Sequence, residues 1–284
     1  MRHQGLPGHE RLALVTRMKG RQMAAARAAH EVGGKPRRQV IIFDADDTLW
    51  YTAPSYTQVL DECQALVAQA GLSGEEWRKR HVQLDVSLTA TMHLSRRQFP
   101  LAARTAAVQL MEEAGFAVDP ALADRVEALA RSVFSKPLPL LPGVEAALTR
   151  LRRQGHHLVL LTKGDYGVQA PRIVDSGLAL HFAELRIVKE KSPELFSRIA
   201  QKAGVAPADC WSVGNSLPSD INPALACGMR AVWIDADVWA YERRETVPRS
   251  GALIRANRIT ELPILLGAQM VAARRPAHGR ELSL

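Results

Sequence analysis

Asp44-Ala45-Asp46-Asp47-Thr48 follows directly on the apolar run Val40-Ile41-Ile42-Phe43. The short D-x-D spacing lets Asp44 and Asp46 face one crevice if the chain bends out of the extended form there. Three further polar clusters end apolar runs in the same way: Thr162-Lys163-Gly164-Asp165, Lys189-Glu190-Lys191, and Gly214-Asn215-Ser216 with Ser219-Asp220. Acids gathered in one cleft repel one another unless a cation sits between them, and hard oxygen ligands with waters point to Mg²⁺. Such a site suits nucleophilic attack by a carboxylate on phosphorus, in which an acyl-phosphate splits one hard hydrolysis into two easier steps. A second acid two residues on can protonate the leaving group and then activate water. The metal and a lysine stabilise charge on the transferring phosphoryl group, and Thr162 with neighbouring backbone N–H groups can hold its oxygens.

These residues need a scaffold that brings strand ends together. Short β-branched or apolar runs at 40–43, 158–161, 185–188, 211–213, 231–234 and, more weakly, 252–254 read as strands. Helical patterns separate them, as at 144–151, 193–202 and 221–227, and this alternation is the signature of βαβ units and a parallel sheet. Between 54 and 139 the period is helical throughout, with Val59, Leu60, Cys63, Leu66 and Val67, then Leu101, Val108 and Met111, then Leu122, Val126 and Leu129. The expected fold class is α/β, a Rossmann-like doubly wound parallel sheet with a helical cap inserted after the first strand. The expected boundaries are a basic N-terminal extension at 1–38, the core at 39–54 and 140–273, the cap at 55–139 and a tail at 274–284. Lys136 to Gly143, rich in proline, suits a hinge. Ligands of such sheets bind outside the carboxyl ends of the strands, where the polar clusters fall.

The ordered set resembles the haloacid dehalogenase-like (HAD) superfamily of hydrolases over residues 39–270. Its four motifs are a strand followed by DxDxT at 44–48, a strand ending in Thr162, a lysine near 190, and a GDxxxxD-like string from Gly214 to Asp220. The strings LLTKGD, SPELF and SDINPAL are similar to a phosphatase-like subgroup with a helical cap. The resemblance implies Asp44 as nucleophile and metal ligand, and Asp46 as general acid and base with its carbonyl on the metal. It implies Thr162 as the phosphate-binding hydroxyl, Lys191 as the third-motif lysine with Lys189 as the alternative, and Asp220 as a metal-site acid. Thr48 and Lys163 join the expected phosphate contacts. The family usually has Asp where this chain has Asn215, so Asn215 is an expected metal ligand that has lost a charge. Asp46 favours phosphoryl transfer over dehalogenation, because dehalogenases of this kind lack the second aspartate.

Composition narrows the rest. With 47% hydrophobic and 23% charged residues among 284, dominant disorder is excluded. No run of about 18 apolar residues offers a membrane span, and three widely spaced cysteines, Cys63, Cys210 and Cys227, give neither a disulfide framework nor a CxxC site. A reducing, cytoplasmic setting is expected. The net charge of +8 hints at nucleic acid, yet residues 1–38 hold nine basic and two acidic side chains, so +7 of it lies there. That segment reads as an extension ahead of a targeting peptide, since it has no serine, and ahead of a nucleic-acid arm, since no aromatic residues are interleaved.

Other residues carry plainer expectations. Asp47 is read as structural, Lys163, Asp165 and Gln169 as ordering the second-motif loop, Ser216 as a polar contact near metal or phosphate, and Trp50 and Tyr51 as cap-to-core packing. His93, Ser95, Arg96 and Arg97 form the most polar cluster of the helical block and read first as solvated charge, second as a face for an anionic substrate. The function expected is a Mg²⁺-dependent phosphatase acting on a small phosphorylated metabolite through an aspartyl-phosphate. The alternatives are a phosphomutase or haloacid dehalogenase on the same core, or a non-catalytic protein that binds a phospholigand or another protein.

Overall fold

The computed structural model describes residues 39–236 and 246–266. The expectations for the basic extension at 1–38 and the tail at 274–284 lie outside the described residues. Six parallel strands form one sheet in the order β3-β2-β1-β4-β5-β6. They are β1 Val40–Phe43, β2 His157–Lys163, β3 Glu184–Val188, β4 Cys210–Gly214, β5 Arg230–Ile234 and β6 Leu253–Ala256. All four β1 residues are buried, as a central strand covered on both faces requires, and each such side chain contributes roughly 1.5–3 kcal/mol by leaving water. Two clusters cover the faces, one around Ile41, Phe43, Leu158 and Leu160, the other around Val40, Ile42, Val159 and Leu161. The alternation of these residues along β1 and β2 is the strand period itself.

Two strands differ from the sequence expectation by more than one residue at an end. β2 runs on through Thr162 and Lys163, because these pair in register with Ile187 and Val188 of β3. β6 sits further along than expected, ending at Ala256 opposite Ile234. The helix expected at 221–227 is a π-helical turn, Leu217–Ile221, followed by a short helix, Asn222–Ala226.

Four helices lie between β1 and the rest of the sheet: α1 Ala53–Gln69, α2 Gly74–Met92, α3 Gln98–Glu113 and α4 Pro120–Arg131. Their starts are written locally. Ser73 accepts from the backbone of Glu76 at the head of α2, the first half of an S-x-x-E box, and Asp119 caps α4 ahead of Pro120. Their apolar stripes meet in a cluster of their own, with Val59, Cys63, Trp77, Ala106 and Val126 fully buried. Entry and exit strands of this insertion are joined: Tyr51 N donates to Pro139 O and Leu141 N to Leu49 O, each at 2.9 Å. Downstream, α5 Val144–Arg153, α6 Tyr166–Asp175 and α7 Pro193–Ala203 alternate with the strands. No helix among the described residues is long and apolar enough to cross a membrane.

Candidate active site

β1 has β2 on one side and β4 on the other, so the strand order reverses at its carboxyl end, where crevices form in open α/β sheets. Asp44 stands at that point, with its N–H donating to Val213 O at 2.9 Å. The chain then turns sharply. Leu49 N donates to Ala45 O at 2.8 Å, and Asp47 adopts a left-handed φ of 54°, which Asp tolerates better than most residues. The Asp47 carboxylate accepts from the backbone N–H of Thr52 at 2.8 Å and Ala53 at 2.9 Å. It therefore fastens the head of α1 to the turn, in line with its structural reading.

Of the two candidate lysines, Lys191 is the one that lies against the acids. Its Nζ donates to Asp44 Oδ1 and to Asp220 Oδ1, both at 2.6 Å, whereas Lys189 is exposed. Burial pushes the Asp44 carboxyl up to about 7, with Lys191 pulling the other way and Asp220 and Asp46 adding to the rise. Burial works to lower the Lys191 ammonium, but the flanking Asp220 and Asp44 overcome it and hold it above its ordinary range. Asp220 is fixed in turn by the N–H of Ser216, which donates to its Oδ2 at 3.1 Å. A Cβ on Gly214 would lie 2.2 Å from that same oxygen, so only glycine leaves room for Asp220.

These groups line a cavity of about 50 Å³ at the strand ends, bounded by Asp44, Asp46, Thr162, Lys163, Asn215 and Asp220 among others. Lys163 Nζ donates to Ser219 Oγ at 3.0 Å on its rim. Ser216 lines it too, and its Oγ accepts from Ser219 N at 3.1 Å. The structure thus brings together Asp44, Asp46, Thr162, Lys163, Lys191, Asn215 and Asp220. It does not bring Thr48 to the cavity: that side chain is fully buried, and its hydroxyl lies 3.2 Å from Asp44 Oδ2 and 3.4 Å from Asn215 Oδ1. One hydroxyl hydrogen serves one of these acceptors at a time, so Thr48 braces Asp44 or Asn215 from behind the cavity.

Asp46 is held from several sides. Its Oδ1 accepts from Trp50 Nε1 at 2.7 Å and Thr52 Oγ1 at 2.9 Å, and its Oδ2 from Gln169 Nε2 at 2.7 Å. Arg172 Nη1 stands 3.4 Å from Oδ1. Trp50 is therefore more than packing, and Gln169 more than loop order. Thr52 and Arg172 carry no motif signal; the available hint is that Gln169 and Arg172 sit three apart on one face of α6. Gly164, at φ 142°, gives the bend after β2 beneath Gln169. Asp46 also lines a second chamber of about 80 Å³ with Tyr56, Leu94, Gln98, Phe99 and Arg172, between the helical insertion and the sheet. Leu94 borders both chambers.

Hard oxygen donors converge here: the Asp44 and Asp220 carboxylates, the Asn215 amide and the backbone around Asp46. Among the described residues no group of three His, Cys, Asp or Glu is placed to hold a metal by itself, and Asn215 adds an amide oxygen to the acids that line the cavity. Mg²⁺ binds through one or two carboxylates and keeps several waters, and a cation would offset the repulsion that Asp220 and Asp46 add to the burial of the Asp44 carboxyl. The donor set fits that ion.

Comparison with known proteins gives the same direction. The family model described as a hydrolase, haloacid dehalogenase-like hydrolase, matches residues 39–228. The chain is 36% identical over 134 residues to the phosphoserine phosphatase of Thermus thermophilus, covering 45% of this chain and 52% of that protein. It is 30% identical over 163 residues to the human N-acylneuraminate-9-phosphatase, covering 55% of this chain and 64% of that protein. The chain thus spans from about half to just under two thirds of the length of these relatives. A haloacid dehalogenase-like family hydrolase from Xanthomonas campestris superposes with a TM-score of 0.70 over 86% of this chain and 100% of the other, at 23% identity. That likeness shows the fold.

Proposed function

The chain belongs to the haloacid dehalogenase-like hydrolases, and from that premise we propose that it is a phosphomonoesterase acting on a small phosphorylated metabolite. The observation that carries the reading is the place of Asp46, which borders both the cavity holding Asp44 and the chamber beyond it. An acid there stands between a phosphoryl group on one side and a leaving group on the other. Relatives named for phosphoserine and for N-acylneuraminate 9-phosphate support a phosphoryl-transfer core whose leaving group varies.

In this reading Asp44 attacks phosphorus as the ester P–O bond breaks, and the leaving oxygen takes the proton of Asp46. Water then attacks the phosphorus, gives its proton to Asp46, and the bond to Asp44 breaks. Lys191 offsets charge on Asp44 and the phosphoryl oxygens, and Thr162 and Lys163 hold those oxygens. Trp50, Thr52 and Gln169 keep the Asp46 carboxyl aimed through both steps. Mg²⁺, held by Asp44, Asp220 and Asn215, would supply further charge neutralisation at the phosphoryl group. The helical insertion acts as the cap that shapes the leaving-group side.

The test is phosphate release from a generic aryl phosphate and a panel of phosphorylated metabolites, with and without Mg²⁺, by wild type beside Asp44→Asn. Metal-dependent release lost in the variant supports the reading. No release by folded protein with Mg²⁺ in excess sinks it, and favours the second reading that Asn215 keeps open, a phospholigand-binding protein without turnover.

A further inference from the structure

Arg172 is a buried cation with too few partners. Its side chain is 6% exposed, yet its polar contacts are Asp46 Oδ1 and the Tyr56 hydroxyl, both at 3.4 Å, with the Tyr56 ring face at 5.8 Å. Asp46 Oδ1 is already taken at 2.7 and 2.9 Å by Trp50 and Thr52. Among the described residues the Nε of Arg172 and the Oε1 of Gln169, one helical turn apart, have no hydrogen-bond partner. A guanidinium buried this far ordinarily meets a carboxylate through two parallel N–H bonds, and the protein supplies no such fork here.

The cavities explain what the fork faces. Three of them stand in series: the phosphoryl cavity shares Asp46 and Lys163 with the leaving-group chamber, which shares Arg96, Val168, Phe134 and Arg172 with a third of about 560 Å³. That third groove is lined by Arg96, Arg97, Arg131, Lys136 and Arg172 against one acid, Asp175, with Arg131 paired to Glu127 and Lys136 to Glu62 outside the lining. Arg96, from the polar cluster of the helical insertion, reaches across the junction: its backbone N–H donates to Asp165 Oδ2 at 3.2 Å, and its Nη1 lies 3.5 Å from where a Cβ on Gly167 would be. Charge and shape therefore continue positive in the direction that leads away from phosphorus.

We propose that the leaving group of the substrate carries a carboxylate, received by Arg172 with Arg96 at the rim, where the leaving-group chamber opens into the basic groove. The inference rests on the phosphomonoesterase reading. A planar carboxylate matches the guanidinium fork, and the leaving-group chamber, at about 80 Å³, admits a short acid directly, while the groove beyond accepts a longer body.

The test uses the full chain carrying Asp44→Asn, with Mg²⁺ in excess, titrated by calorimetry with phosphoglycolate against ethyl phosphate and phosphoserine against phosphoethanolamine. Within each pair the carboxylate is the group that changes. The carboxylated member is expected to bind about tenfold tighter or more, and Arg172→Lys, which keeps the charge and loses the fork, is expected to remove most of that ratio. Equal affinity within each pair, or binding by neither member, overturns the inference even if no Arg172 variant folds. A ratio that survives both Arg172→Lys and Arg172→Gln overturns it too, and so does tighter binding of ethylene glycol bisphosphate than of phosphoglycolate. Aryl phosphate turnover by wild type decides the phosphatase reading separately: turnover without carboxylate preference sinks only the present inference, whereas preference without turnover sinks the phosphatase reading and, with it, the assignment of the carboxylate to a leaving group.

Discussion

Asp44 is a carboxylate the fold disfavours in its charged form and the proposed chemistry needs charged. Burial raises its pKa to about 7 from an ordinary 3.8, so the folded state binds its proton more tightly than the unfolded chain does. The sign follows from linkage: the contribution to stability is present below about pH 4 and is lost as pH rises through about 7. Asp44→Asn should therefore melt higher than wild type in metal-free buffer at pH 8, by about 2 °C or more, with the gap closing toward pH 4, while losing turnover by about a thousandfold or more. Melting curves at the two pH values, beside phosphate release, check both halves. Asn215 makes the complementary prediction. Buried beside the cavity with its Oδ1 near Thr48, it supplies an oxygen without charge. Asn215→Asp should lower the Mg²⁺ concentration for half-maximal activity by about tenfold, and an unchanged Mg²⁺ dependence would remove Asn215 from the metal shell.

Elements place these residues by local rules that often do two things at once. The turn after β1 has to expose Asp44 and Asp46 and also start α1, and Asp47 links the two tasks through its bonds to Thr52 and Ala53. On the far side, α2 and α3 close the insertion around His81, which stacks on Trp77 with centroids 5.5 Å apart and meets the edge of Phe99 at 4.8 Å. Burial pushes its imidazole down to about 4. Because the folded value lies below the ordinary one, its contribution is present above about pH 6.5 and is lost as pH falls toward 4. His81→Phe should flatten this loss, so that between pH 7 and pH 4 the variant gains about 2–3 kcal/mol relative to wild type. Denaturant titrations at several pH values read that slope, and parallel curves would show that His81 does not titrate against folding.

At the scale of the molecule, the sheet and the helical insertion each bury a cluster of their own, joined by the paired segments at 49–51 and 139–141. Two such cores should open as separate cooperative units. Ile41→Ala, at a fully buried position under the sheet, should destabilise by about 2–5 kcal/mol. Hydrogen exchange should then quicken at amides of β1, β2 and β4 and leave those of α3 unchanged. Acceleration across both units would show that they fold as one. The division matters for function because the leaving-group chamber is built from both: Tyr56, Gln98 and Phe99 come from the insertion, and Lys163, Gln169 and Arg172 from the sheet side.

Asp44, Asp46, Thr162 and Asp220 were legible in the chain because each follows an apolar run short enough to be a strand, and a parallel sheet collects strand ends on one edge. The α/β fold followed from the same alternation, and the helical block from its change of period. Registers, the growth of β2 through Lys163 and the π-helical turn at Leu217–Ile221 were not legible, since they depend on pairing with β3 and on the path after Gly214. Neither was which lysine stands against the acids: two residues of spacing leave Lys191 and Lys189 open, and Lys191 is the one 2.6 Å from Asp44. Thr48 was expected at the phosphate and is turned inward instead. The hold of Trp50, Thr52, Gln169 and Arg172 on Asp46 joins residues up to 126 positions apart. Local sequence fixes period, caps and strand ends through short-range sterics and hydrogen bonding. Which distant side chains share a buried carboxylate is decided only when packing brings their helices and turns together.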